Sequence, residues 1–168
     1  MKNKGITLIG MPASGKSTIA RELAKAIKYP FVDIDQWMIE REGISVKEII
    51  NQKGREYTLT LESMPIHKNE LFETIISPPG SIVYTDTYEK VKSHTKVIWL
   101  KNSYSTIAAR LSTDPENIRG IIGLEEHGLE KLYAQRTPLY EMWADYTLEA
   151  DDKTVQEIVQ EILAYLRS

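Results

Sequence analysis

The chain alternates two kinds of apolar pattern. Short apolar runs at Ile6–Ile9, Phe31–Asp33, Thr74–Ser77, Val97–Leu100 and Tyr146–Glu149 read as buried strands. Longer stretches between them predict helices over Lys16–Ile27, Gln36–Glu42, Val46–Gln52, Glu56–Thr74, Tyr88–Ser93, Tyr104–Ser112, Gly128–Ala144 and Thr154–Arg167. The last is the clearest: Val155, Ile158, Val159, Ile162, Leu163 and Leu166 fall on one helical face. Thr154 and Glu157 form a capping box at its start. Strands separated by helices imply parallel pairing through right-handed crossovers, an α/β sandwich. In such sheets ligands sit beyond the carboxyl ends of the strands.

The first of those ends carries Gly10-Met11-Pro12-Ala13-Ser14-Gly15-Lys16-Ser17, which fits the phosphate-binding pattern G-x-x-x-x-G-K-[ST]. It lies between a strand and a helix, the context the motif needs. Gly10, Ala13, Ser14 and Gly15 would turn backbone N–H groups toward phosphate oxygens, and the helix start at Lys16, Ser17 and Thr18 adds partial positive charge. Lys16 is placed to reach the β- and γ-phosphates and the Ser17 hydroxyl to ligate Mg²⁺. ATP with Mg²⁺ is the expected cofactor pair.

Composition narrows the partners. The chain has 168 residues, enough for one domain with a sizeable core, and 42% of them are hydrophobic. Its 21 basic and 24 acidic residues leave a net charge of −3, with no electrostatic footprint for nucleic acid or an anionic membrane. No apolar run approaches a membrane span, and Ile6–Ile9 is too short for the core of a signal peptide. The lack of cysteine excludes disulfides and thiolate chemistry and suits a reducing cytoplasm.

After the second strand comes Asp33-Ile34-Asp35. Read as strand, the two carboxylates point to the same side. One can hold Mg²⁺ through water while the other accepts the proton of an attacking alcohol. An ordinary helix N-cap is the competing role, and the two are compatible. After the third strand, Gly80 either lets a ligand approach the backbone or belongs to a plain loop. Downstream, Arg110, Arg119 and Arg136 are candidate cations for phosphoryl transfer, although a lone arginine is usually a solvated one. Arg119 lies in a loop-like, glycine-punctuated stretch with the composition of a lid. Pro138 should start or kink a helix. His67, His94 and His127 have no ligand spacing, and Trp37, Trp99 and Trp143 read as core, with Trp37 noted for its closeness to Asp35.

Gly10–Thr18, Phe31–Asp35, Ile39–Ile50, Arg136–Tyr140 and Ala144-Asp145 together resemble the shikimate kinase family over nearly the whole chain. The resemblance implies a P-loop fold of nucleoside-monophosphate-kinase type: three layers, five parallel strands in the order 2-3-1-4-5, helices on both faces and a small lid. Residues 1–168 would form one kinase domain, with an acceptor-binding segment at about 33–62 and the lid at about 112–128. Position by position, it makes Asp35 the base that contacts the acceptor hydroxyl and Asp33 a Mg²⁺ holder. Arg119 becomes the lid arginine at the phosphates, Arg136 the grip on an acceptor carboxylate, and Arg110 the neighbour of adenine. Glu62 and Gly80 fall on acceptor-site positions. The family's Phe-Arg-x-x-Glu run, whose arginine binds the shikimate carboxylate, appears as Thr58-Leu59-Thr60-Leu61-Glu62, and its three glycines after strand three as Pro79-Gly80-Ser81.

The expected activity is transfer of the γ-phosphoryl group of ATP to the hydroxyl of a small metabolite by a monomeric, cytoplasmic enzyme. With leucine at position 59, weak use of shikimate and a preference for another small hydroxylated acceptor is one expectation; authentic shikimate kinase activity is the alternative. A non-catalytic nucleotide-binding regulatory domain is a reading of another class. A nucleoside monophosphate kinase is a third, and no second set of phosphate-binding arginines supports it.

Overall fold

The structure is a computed structural model that describes residues 2–114 and 120–168. Its centre is β1 (Gly5–Ile9), buried at all five positions. β1 pairs in parallel with β3 (Ile75–Ser77) on one side and β4 (Thr95–Lys101) on the other. β2 (Phe31–Asp33) and β5 (Tyr146–Glu149) complete a five-stranded parallel sheet in the order β2-β3-β1-β4-β5. A parallel sheet is covered on both faces, so its central strands are apolar throughout rather than alternating.

Period-two geometry then sends neighbouring side chains to separate cores. Ile6, Leu8, Ile98, Leu100 and Leu148 meet α1 (Lys16–Ile27) and the C-terminal helix Val155–Arg167. Ile9, Ile76, Val97 and Trp99 meet the opposite layer. That layer contains α2 (Ile34–Glu42), α3 (Val46–Lys68), α4 (Tyr88–His94), α5 (Tyr104–Ser112) and, after the short α6 (Leu124–His127) that contacts it, α7 (Leu129–Trp143). The C-terminal helix, α8, opens on the expected Thr154–Glu157 capping box.

Several boundaries differ from the sequence reading. The two helices expected over 46–52 and 56–74 form one element, α3, broken at Gly54 (φ 85°, ψ 173°) and ending at Lys68. The chain needs the residues after Lys68 to turn into β3, which overrides the apolar spacing of Leu71 and Phe72. The segment after Pro79 is a 3₁₀ turn, Gly80–Tyr84, rather than a plain loop. α2 starts at Ile34, so Asp35 belongs to the first turn of a helix and not to the strand. α7 runs through Pro138, within the helix expected over 128–144, so the proline does not start a helix.

Candidate active site

The carboxyl ends of β1, β2 and β3 open into a cavity of about 790 Å³. Lys16, Ser17, Thr18, Asp35, Gly80, Ser81 and Arg136 line it, together with Gly120–Ile122. Five widely separated stretches of sequence therefore contribute to one site.

The phosphate loop has the backbone that its residues suggest. Gly15 sits at φ 91° immediately before α1, and Ala13 takes a left-handed φ of 63°. That conformation costs an alanine about 1–2 kcal/mol, which the surrounding loop must offset. Lys16 donates to the Gly10 and Met11 carbonyl oxygens at 2.9 Å each and lies 3.4 Å from Ser14 Oγ. Burial lowers its pKa to about 8; the charge of Asp35 opposes this, Arg136 adds to it and Asp33 opposes it again. A bound phosphate would favour the charged form of Lys16 against the effect of burial. Arg110 Nη1 donates to the Ala13 carbonyl oxygen at 2.9 Å, bracing the loop's outer side.

The two aspartates are separated by the strand-to-helix transition. Asp33 is the N-cap of α2, accepting from the Gln36 backbone N–H at 3.2 Å. The capping role is thus real, and it fixes the carboxylate at the strand end. Asp33 pairs in register with Ser77, whose hydroxyl lies 3.3 Å from that of Ser17. Asp33, Ser77 and Ser17 form an oxygen-rich edge beside the phosphate loop. Mg²⁺ is commonly held by one or two protein oxygens plus phosphates and waters, so this donor set fits it. Asp35, half-buried, has its pKa raised to about 6, first by burial and next by Asp33, against the pull of Lys16. A carboxylate of that basicity is charged at neutral pH and is a better proton acceptor than an ordinary aspartate.

Around Gly80 lies a buried polar cluster. Arg136 is 1% exposed; its Nη2 donates to the Ile122 carbonyl oxygen at 2.8 Å, and its Nε has no partner. Glu62, also 1% exposed, accepts from Ser81 Oγ at 2.8 Å, while its Oε1 has no partner. Burial is the main cause that raises the Glu62 pKa to about 8. Tyr140 donates to the Gly80 carbonyl oxygen at 2.8 Å, and burial raises its pKa to about 12. Gly80 is closely packed by the protein itself: an added Cβ would lie 2.7 Å from Arg136 Nη1 and 2.9 Å from the Tyr140 hydroxyl.

Every proposed site residue outside the lid falls in or beside this region. Arg119 lies outside the described residues, as does the 115–119 part of the expected lid. Sequence reading missed Ser77, Tyr84, Tyr140 and Arg55. Ser77 was traceable as the last residue of a strand beside the phosphate loop. Arg55 and Tyr84 come together beside Arg136 through the break at Gly54 and the 3₁₀ turn, which apolar periodicity does not reveal.

Comparison with known proteins agrees with this geometry. The family model described as shikimate kinase matches residues 12–167. A shikimate kinase of Sulfurihydrogenibium sp. (strain YO3AOP1) is 33% identical over 172 residues, covering 98% of each chain. The crystal structure of shikimate kinase from Aquifex aeolicus matches at 27% identity with a TM-score of 0.78, over 96% of this chain and 95% of that one. A shikimate kinase from Acinetobacter baumannii, solved in complex with shikimate, shares the fold at 22% identity with a TM-score of 0.85, over 98% and 93% of the two chains. A phosphate loop at the first strand end, a carboxylate pair at the second and a match along nearly the full length lead to one conclusion: this chain belongs to the shikimate kinase family, ATP-dependent small-molecule kinases with an alcohol acceptor.

Proposed function

We propose that the protein transfers the γ-phosphoryl group of ATP to a hydroxyl of shikimate, a small hydroxylated carboxylic acid. The observation that carries this reading is that Lys16, Asp35 and Arg136 line one cavity, so phosphate, reacting hydroxyl and acceptor carboxylate each have a partner there. Asp35 accepts the hydroxyl proton as the acceptor oxygen bonds to the γ-phosphorus. The bond from that phosphorus to the oxygen bridging it to the β-phosphate breaks, and ADP leaves. Lys16 and Arg119 offset the negative charge on the transferring group. Ser17 and Asp33 would hold Mg²⁺, which would supply charge neutralisation at the phosphates. Arg110 flanks the adenine.

Residues 1–168 act as one catalytic unit, with the acceptor segment near 33–62 and the lid near 112–128. The protein acts as a monomer, and ATP as donor supports a cytoplasmic setting. No helix among the described residues is long and apolar enough to cross a membrane.

A coupled assay of ADP formation tests the proposal, with Mg²⁺ present and shikimate, other hydroxy acids, polyols and nucleoside monophosphates as acceptors. Shikimate-dependent ADP formation is expected. ATP binding without ADP formation in the presence of any acceptor would favour a regulatory nucleotide-binding domain, and phosphorylation of a nucleoside monophosphate would move the protein to another kinase class.

A further inference from the structure

Two guanidinium groups converge on one aromatic ring at the acceptor side. The Arg55 guanidinium carbon lies over the Tyr84 ring, 5.2 Å from its centroid, and that of Arg136 lies over the same ring at 5.4 Å. Among the described residues, no carboxylate stands within ion-pair distance of either arginine. Arg136 is buried and held by the Ile122 carbonyl, with its Nε unpartnered; Arg55 is exposed. Stacking on an aromatic face restrains a guanidinium in its plane while leaving its N–H edge available to a planar anion.

The helix explains why Arg55 faces this way. Gly54 breaks α3, and Arg55 opens the segment that follows. Thr58 Oγ1 donates back to the Gly54 carbonyl oxygen at 2.8 Å, fixing the first turn. Positions 55, 59 and 62 are spaced i, i+4, i+7 and share one helical stripe. Glu62 on that stripe is part of the buried cluster with Ser81, and Leu59 between them has no hydrogen-bond donor in its side chain.

We propose that Arg55 is the second anchor for the acceptor's carboxylate, gripping it together with Arg136 at the ring of Tyr84. The inference rests on the proposed function and adds a residue that sets acceptor specificity. It places the anchor one helical turn before Leu59, on the same face.

Steady-state kinetics of Arg55→Met with shikimate and ATP·Mg²⁺ tests it. Methionine keeps an unbranched stem and removes the charged fork. The KM for shikimate should rise about ten- to a hundred-fold, the loss that goes with a hydrogen bond to a charged group, with the KM for ATP within two-fold of the original. Arg55→Lys should recover only part of the loss, because an ammonium lacks the fork. Adding Leu59→Arg to Arg55→Met should restore shikimate affinity by returning a guanidinium to the stripe. A shikimate KM that Arg55→Met shifts by less than two-fold overturns the inference and leaves the proposed function standing. So does an equal rise in both KM values, or a double variant no better than the single one. Absence of shikimate phosphorylation by the unaltered protein overturns the proposed function, and this inference with it.

Discussion

Replacing Glu62 with glutamine should relieve a pH-dependent instability built into the buried cluster around Arg136. Burial is the main reason its carboxyl holds a proton up to about pH 8; the Ser81 hydrogen bond, Arg136 and Arg55 pull toward the charged form, and Asp35 pushes against it. In the unfolded chain the same group ionises near its ordinary 4.5. Between those values the folded state binds a proton that the unfolded state has released. Stability must therefore fall as pH rises through this window, and the group makes no difference below it. At about 1.36 kcal/mol per pH unit, the full window is worth up to about 5 kcal/mol. Glutamine preserves the shape, and its carbonyl oxygen can still accept from Ser81, but it cannot ionise. Urea unfolding of both proteins from pH 4 to 9 reads the difference directly. The advantage of Glu62→Gln should grow by several kcal/mol between pH 5 and 8. Parallel stability profiles would refute the reasoning, since they would mean that Glu62 ionises in place at no cost.

Lys16→Ala should lower kcat by at least ~10²-fold, the scale of losing one preorganised charge contact, while far-UV circular dichroism stays unchanged. Asp35→Asn should abolish most turnover yet leave ATP binding measurable by calorimetry. In the unaltered protein kcat/KM should fall as pH drops below about 6, because Asp35 is then protonated and cannot accept a proton; a flat profile to pH 5 would remove its assignment as base. Gly80→Ala puts a methyl group against Arg136 and Tyr140 and should cost about 1–3 kcal/mol, the range for overpacking a filled site, together with a raised acceptor KM; an unchanged melting temperature would show that the cluster yields freely.

Much of the fold was readable because its signals are local. A phosphate loop between a strand and a helix, five short apolar runs and a capping box each declare themselves within a few residues. Their sheet order followed from resemblance, and the pairing of β1 with β3 and β4 agrees with it. Contacts between distant segments were less readable. Asp33 and Asp35 were legible as a pair, but the strand geometry used to join them was wrong, since the helix begins between them. The orientation of Arg55 depends on a single positive φ at Gly54, and a glycine inside a helical pattern does not announce whether it will break the helix or pass through it. The buried setting of Glu62 depends on Ser81, nineteen residues away, and no periodicity connects the two.

The hydrogen bond from buried Arg136 to the Ile122 carbonyl has a thermodynamic consequence. One guanidinium is committed both to the buried polar cluster and to the Gly120–Ile122 segment that lines the cavity. An acceptor that draws Arg136 into a new geometry must also do work on that wall, and a nucleotide that shifts the wall must act on Arg136. Linkage makes the exchange reciprocal: whatever factor ATP applies to acceptor affinity, the acceptor applies to ATP. The two substrates would then bind as one coupled system, and the free energy joining them would be measurable from either side.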